Sequence, residues 1–187
     1  MATENLSARD RILASAGKLF SAEGYRGTGV DRIIADSGVA KATFYKHFPG
    51  KDHLIVEWLA QSEASAAILL PGPDAAEPFF ALTDALIALA GTPSCLGCAF
   101  QGTAAEFADH AHPAHAASIA AKQRVLAGLT QRAEAQGLPQ PRATAEIAFL
   151  LIEGVFAAVR MFGPGAPISG AQAALRKLAA PVTSVHL

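Results

Sequence analysis

Residues 28–54 read TGVDRIIADSGVAKATFYKHFPGKDHL and hold the densest set of structural signals in the chain. Thr28, with Asp31 three residues later, forms a capping pattern that predicts the start of a short helix, and Gly38 predicts its end. A second, shorter helix is predicted from about 40 to 47. Two short helices joined by a glycine-containing turn are typical of a helix-turn-helix.

The rest of the chain is predicted to be helical as well. The whole chain of 187 residues is 51% hydrophobic and includes 42 alanines. Alanine favours helices over strands. No long stretch alternates apolar and polar residues as a half-buried strand does. Such a chain can bury enough apolar surface to offset its ordering entropy, which excludes global disorder. The predicted fold class is all-α, with nine helices at about 7–24, 28–38, 40–47, 51–70, 75–91, 95–109, 113–137, 142–162 and 169–180.

Charge is distributed unevenly along the chain, although the net charge is only −1. Residues 1–53 contain eight Lys and Arg against six Asp and Glu, a balance of +2. Residues 54–187 contain seven basic and ten acidic residues, a balance of −3. A basic segment joined to an acidic one indicates a polyanion-binding domain at the N-terminal end. We therefore expect two domains, 1–53 and 54–187.

The sequence predicts a soluble, cytoplasmic protein without a membrane partner. The first residues, MATEN, provide neither a basic flank nor an apolar run, so we expect no secretory signal. The apolar segment 143–162 is interrupted by Glu146, Glu153 and Arg160 at seven-residue intervals, which places them on one stripe of an amphipathic helix. Two cysteines are too few for a disulfide scaffold.

The segment from about residue 9 to 55 resembles the DNA-binding domain of the tetracycline-repressor (TetR) family of bacterial regulators. The positions that match the family's pattern are Gly24, Tyr25, Thr28, Val30, Ile33, Gly38, Val39, Lys41, Thr43, Tyr45, His47, Phe48, Lys51 and Leu54. Weaker similarity to one subgroup of ligand domains lies in 97–100 (GCAF) and 104–107 (AAEF). The resemblance implies a nine-helix TetR-like architecture, with an N-terminal helix-turn-helix domain and a C-terminal helical domain for ligand binding and dimerisation. It also implies a ligand-responsive regulator, a repressor that binds a palindromic operator as a homodimer and is released by a small apolar or aromatic effector.

The residues of the helix-turn-helix are chemically suited to duplex DNA. Lys41 and Thr43 can contact base edges in a major groove, whereas Tyr45 and His47 more often donate to phosphates. Phe44 and Phe48 are expected to pack this helix against the two preceding ones. The predicted DNA contacts are Thr28, Lys41, Ala42, Thr43, Tyr45, Lys46, His47 and Lys51.

Two residues depart from the family's pattern at the same helix. Position 40 is Ala where the family usually has a Ser cap, and position 42 is Ala where Gly is common. The missing cap and the added methyl group prevent the operator sequence from being predicted by analogy.

The resemblance also implies which helices form the dimer and the pocket. In this family the last two long helices form the dimer interface, which corresponds to 142–162 and 169–180. Small residues, among them Ala148, Gly154, Ala157 and Ala158, would allow close approach of helices. The candidate pocket residues are Trp58, Phe79, Phe80, Cys98, Phe100, Phe107 and Met161. Aromatic residues at helical spacing also fit a plain core, and this alternative stays open.

Cys95 and Cys98 support an alternative, a regulator that senses thiols or electrophiles. Ser94 is a predicted helix cap, which would place Cys95 at a helix N-terminus, where a thiolate is stabilised. Ordinary packing and pocket lining are the competing interpretations, because free Cys is usually a small buried hydrophobe.

A metal site, a cofactor and an enzymatic function are not expected. Glu106, Asp109, His110, His112 and His115 could supply ligands, but their spacing matches no standard zinc motif, so solvated loop histidines are predicted. The chain contains no nucleophile–His–acid order, phosphate loop or H-E-x-x-H motif. A purely protein-binding scaffold would leave the basic cluster in 41–51 unexplained.

Overall fold

The computed structural model of the chain describes residues 6–178. Within this range there are nine α-helices, one short 3-10 turn (Gly163–Gly165) and no strand. The all-α, nine-helix prediction is therefore confirmed. The helices are α1 (Ala8–Glu23), α2 (Val30–Ser37), α3 (Lys41–His47), α4 (Lys51–Leu69), α5 (Pro78–Ala90), α6 (Ala99–Glu106), α7 (Pro113–Ala135), α8 (Pro141–Phe162) and α9 (Ser169–Leu178). The predicted end of the last helix, at 179–180, lies outside the described residues.

Local capping sets the start of α1. The Ser7 hydroxyl accepts a hydrogen bond from the Asp10 amide at 3.2 Å and donates to the Asp10 carboxylate at 2.7 Å. Gly24 follows the last residue of α1 with a φ of 79°, a conformation that favours glycine. The predicted beginning and end of this helix are confirmed.

The predicted cap of α2 at Thr28 is wrong. Gly29 is the N-cap, and no side chain caps this helix. Thr28 is fully buried, and its hydroxyl donates to the Gly24 carbonyl at 2.7 Å. The hydroxyl therefore holds the turn before α2 instead of the helix start. Gly38 ends α2 in the left-handed conformation, as predicted.

Helix α6 is shorter than predicted, and its start corrects the expectation for Cys95. The helix begins at Ala99, and Gly97 has a φ of 95° just before it. Cys95 lies in a turn, where its amide donates to the Thr92 carbonyl at 3.0 Å. The prediction that Ser94 caps a helix and that Cys95 lies at its N-terminus is therefore wrong.

The described residues form two compact units. The first comprises the residues up to Ser65 together with Ala99–Ala121. Its core is apolar and is formed by α1, α2, α3, the first part of α4 and α6 with the residues that follow it. The buried residues of this core are Ile12, Leu13, Ala16, Leu19, Phe20, Tyr25, Ile33, Val39, Phe44, Phe48, Leu54, Ile55, Leu59, Phe107 and Ala114.

The second unit comprises Ala66–Cys98 and the described residues from Lys122 onward. Here α5, α8 and α9 pack on one another, and Phe79, Ile87 and Ile152 are among the buried residues. Arg176 of α9 binds Glu77 at 3.2 Å and Asp84 at 2.6 Å, and its guanidinium lies 4.2 Å from the centre of the Phe80 ring. This cation attaches α9 to α5.

No helix within residues 6–178 is both long and apolar enough to cross a membrane.

Candidate nucleic-acid interface

Helix α3 is anchored by one face and leaves the other in solvent. Phe44 and Phe48 are fully buried with ring centres 6.0 Å apart, and they belong to the same core cluster as Ile33 of α2. The predicted packing of this helix is confirmed. The opposite face is exposed at Lys41, Ala42, Tyr45 and Lys46, and half-buried at Thr43 and His47.

The exposed face of α3 begins without a side-chain cap. Ala40 is the N-cap, with no side-chain hydrogen bond, and its carbonyl accepts from the amides of Thr43 and Phe44 at 2.9 and 3.0 Å. The first amides of a helix have no partner within the helix. The start of α3 therefore presents backbone donors beside the exposed methyl group of Ala42.

Lysines at the two ends of α3 have different surroundings. The Lys41 ammonium lies 3.2 Å from a carboxylate oxygen of Asp31, which belongs to the first turn of α2. Lys46 is exposed, and no ion pair joins it to any residue between 6 and 178.

Lys51 adds a cation at the first residue of α4. Its Nζ donates to the Arg26 carbonyl at 3.4 Å. Burial lowers the pKa of Lys51 from its usual value, while Asp52 and Glu106 oppose that change and nearby Arg26 adds to it. This ammonium is therefore incompletely solvated, and an anion would stabilise its charged form.

Known proteins share both the sequence and the fold around these residues. A sequence model described as "Bacterial regulatory proteins, tetR family" matches residues 12–58, the range that contains α2, α3 and the start of α4. The structure of SCO4454, a TetR-family transcriptional regulator from Streptomyces coelicolor, is 30% identical and has a TM-score of 0.84, with 92% of this chain and 94% of that chain covered. The chain belongs to the TetR family. TetR-family proteins are transcription regulators, so this chain is a DNA-binding regulator and not an enzyme.

Two curated relatives match part of this chain. The HTH-type transcriptional regulator LmrA of Bacillus subtilis (strain 168) is 48% identical over 50 residues, which cover 26% of this chain and 27% of LmrA. The uncharacterized HTH-type transcriptional regulator YxaF of the same organism is 39% identical over 56 residues, 29% of each chain. The matched segments thus span less than a third of each relative's length.

Glu106 supports the helix-turn-helix of this TetR-family chain and was not predicted to do so. Its carboxylate accepts hydrogen bonds from the amides of Tyr25 at 3.0 Å and Arg26 at 2.7 Å. The Tyr25 hydroxyl donates to the Ala99 carbonyl at 3.1 Å, so the turn before α2 binds both ends of α6. A Cβ at Gly24 would lie 3.0 Å from the same carboxylate. Glycine therefore suits this position both for its φ and for its close approach to Glu106.

Two of the three histidines after α6 are packed, so the prediction of solvated loop histidines is wrong for His112 and His115. His112 stacks on Phe107 with ring centres 4.2 Å apart. His115 is buried, its Nδ1 lies 2.6 Å from the Phe107 carbonyl, and it stacks on the exposed His110. The described part of the chain contains no group of three or more His, Cys, Asp or Glu that could hold a metal ion.

The seven predicted pocket residues are divided between the two units. Trp58, Phe100 and Phe107 belong to the first unit, where Phe107 is buried and the other two are partly buried against the core. Phe79, Phe80, Cys98 and Met161 belong to the second unit, and the first three of these are buried. Met161 is 76% exposed on α8, so its placement does not support the predicted lining role.

A cleft of about 440 Å³ lies between α1 and α4 within the first unit. Trp58 is the one predicted pocket residue among its lining residues. Gly17 allows the indole to approach, since a Cβ there would overlap the Trp58 ring nitrogen. The remaining lining residues are Leu13, Ala14, Lys18, Ser21, Gln61, Ser62 and Ser65.

Proposed function

We propose that this TetR-family chain is a repressor that binds a palindromic operator as a homodimer. The observation that carries the proposal is the division of α3, whose phenylalanines are buried while its lysines and Tyr45 remain exposed. A short helix with such a face fits the major groove of B-DNA. The 1–53 segment is the DNA-binding domain in this account, and 54–187 binds the ligand and the second chain.

We assign each predicted contact a role from its chemistry and its placement. Lys41 and Thr43 contact base edges, and the Ala42 methyl group approaches the duplex at the start of α3. Tyr45, Lys46 and His47 donate to phosphates, and Lys51 binds a phosphate at the start of α4. Because the Thr28 hydroxyl is engaged within the chain, the start of α2 contributes through its backbone amides.

The exposed face of α8 supports the homodimer. Ile147, Leu150, Gly154, Ala157 and Met161 recur at intervals of three and four residues, and all five are exposed. A Cβ at Gly154 would meet nothing within 4 Å, although a glycine inside a helix costs about 0.5–1 kcal/mol relative to alanine. Packing within one chain therefore does not explain this glycine. A second copy of the chain that packs against these five residues, the apolar stripe on α8, would explain why position 154 is glycine.

The effector is proposed to be small and apolar or aromatic, because Trp58 and Leu13 line the cleft of about 440 Å³ in the first unit. Its binding would favour a separation of the two DNA-binding domains that no longer fits successive major grooves, so that the operator is released. The protein would act in the cytoplasm, where the DNA of a bacterial cell lies.

DNA binding by the full-length protein tests the proposal. The probes are a duplex from the region upstream of the protein's own gene and a scrambled duplex of equal composition, with affinity measured by fluorescence anisotropy at several salt concentrations. We expect preference for the upstream duplex and a steep salt dependence. Lys46→Ala should weaken binding and reduce the salt slope by about one unit for each phosphate that the variant no longer neutralises.

Arg124→Ala is the matched control, because Arg124 is an exposed cation on α7, outside both the helix-turn-helix and the helices of the proposed dimer interface. We expect this variant to bind like the unchanged protein. Equal affinity of the unchanged protein for both duplexes would contradict regulation through this upstream region, and equal effects of the two alanine variants would contradict the placement of α3 on DNA.

A further inference from the structure

The exposed face that carries Lys41 also carries a carboxylate. Asp31 lies in the first turn of α2 and its side chain is 85% exposed, while the Lys41 side chain is 65% exposed. Their charged atoms are 3.2 Å apart. The first lysine of α3 is thus paired with a carboxylate at the surface that the proposed function places against a polyanion.

Other acidic residues of the first unit are arranged differently. Asp36 accepts hydrogen bonds from Ser15 as well as Lys18, so its carboxylate is held by α1. Glu23 lies at the end of α1, 3.8 Å from Arg32. Neither acid contacts a residue of α3 through these bonds. Asp31 is therefore the acid that the structure pairs with the helix proposed to contact bases.

The pairing affects non-cognate and cognate DNA differently. Binding to any duplex is driven by release of counterions from phosphates, and a lysine that is paired with a carboxylate adds less to this release than a lysine without such a pair. Opening the pair leaves the Asp31 carboxylate facing the phosphates, which is unfavourable. A base edge that accepts from Lys41, such as the O6 and N7 atoms of guanine, offsets that cost on the correct sequence only.

We propose that Asp31 is a specificity-determining residue. On non-cognate DNA its carboxylate keeps Lys41 neutralised, and on the operator Lys41 leaves Asp31 for base-edge acceptors. This inference rests on the proposed function, in which α3 enters the major groove.

The test compares Asp31→Asn with the unchanged full-length protein on two probes. One probe is a duplex enriched by the unchanged protein from a random-sequence library, and the other is a scrambled duplex of the same composition. We expect Asp31→Asn to bind the scrambled duplex several-fold more tightly, with a salt slope steeper by about one unit for each α3 helix on the DNA. Affinity for the enriched duplex should change less, so the specificity ratio should fall.

Glu23→Gln is the matched control, because it changes the net charge equally and removes an acid that is paired with α2 instead of α3. We expect it to retain the specificity ratio of the unchanged protein. An equal fall in specificity in the two variants would show an effect of net charge alone and would overturn the inference. An unchanged ratio in Asp31→Asn would also overturn it.

Lys41→Ala supplies an independent outcome. In the unchanged protein, Lys41→Ala should change the affinity for the scrambled duplex little. In the Asp31→Asn variant, Lys41→Ala should return the steeper salt slope to that of the unchanged protein. Equal weakening in both backgrounds would show that Asp31 does not neutralise Lys41 and would overturn the inference. Failure to enrich any sequence from the library would instead contradict the proposed function itself, so the two failures are distinguishable.

Discussion

Asp36 illustrates how neighbouring side chains set the ionisation of one carboxyl group. The hydrogen bond from the Ser15 hydroxyl at 2.8 Å, followed by the one from Lys18 at 3.0 Å, lowers the pKa of Asp36 from its usual 3.8, against an opposing effect of burial. A carboxyl whose pKa is lowered on folding stabilises the folded state above its unfolded pKa. This contribution is therefore present above pH 3.8 and disappears as the pH falls through the lowered pKa.

We expect Ser15→Ala to raise the pKa of Asp36 toward 3.8, because the variant removes the hydrogen bond that contributes most to the lowering. Titration of the Asp36 side-chain carboxyl by NMR measures the change. Ser37→Ala is the control, since Ser37 is also buried but donates to the Ile34 carbonyl. An Asp36 pKa that is the same in both variants would contradict the assigned role of Ser15.

Among the structural elements, the turn between α1 and α2 depends on a residue far along the chain. The Glu106 carboxylate receives the amides of Tyr25 and Arg26, and the Arg26 carbonyl in turn accepts from Lys51. Helix α6 therefore holds the turn between α1 and α2 in place. The same turn contacts Lys51, the first residue of α4, through the Arg26 carbonyl.

Glu106→Gln should destabilise the protein by about 1–2 kcal/mol, because hydrogen bonds to a charged acceptor are worth more than neutral ones and one amide would face an NH₂ donor. Chemical denaturation followed by circular dichroism measures the change. Glu134→Gln is the control, since Glu134 is an exposed glutamate on α7. Unfolding of the two variants at the same denaturant concentration would contradict a supporting role for Glu106.

Several features set by neighbours in sequence could be predicted, and those set by distant partners could not. The Ser7–Asp10 cap and the glycine that ends α2 involve residues close in sequence, and both are confirmed. Thr28 is an exception: its hydroxyl has a local partner, the Gly24 carbonyl, but a threonine before a helix can either cap the helix or bond to the preceding turn, and the sequence pattern does not decide between the two.

The candidate site shows the same limit. Phe44 and Phe48, four residues apart, identify the buried face of α3 and hence its exposed face. Glu106 and its partners are separated by 80 and 81 residues, and no local pattern connects them. The packed His112 and His115 likewise depend on the placement of Phe107, which the periodicity of the sequence does not supply.

In the proposed complex, DNA recognition depends on the association of two chains. One α3 helix contacts too few base pairs to specify an operator, and a two-fold dimer supplies a second half-site at a fixed spacing. The exposed apolar stripe on α8 is the surface proposed to supply that symmetry, and Leu150 near its centre is 67% exposed.

Operator recognition by a dimer is tested by comparing the affinity of the full-length protein for a palindromic duplex with its affinity for the same duplex after one half-site is scrambled. We predict that scrambling one half-site weakens binding at least tenfold, since each mismatched base pair costs about 1–3 kcal/mol. Leu150→Arg, which places a charge in the α8 stripe, should bind the two duplexes with nearly equal, low affinity and behave as a smaller species in sedimentation. Equal affinity of the unchanged protein for the intact and the half-scrambled duplex would contradict operator recognition by a dimer.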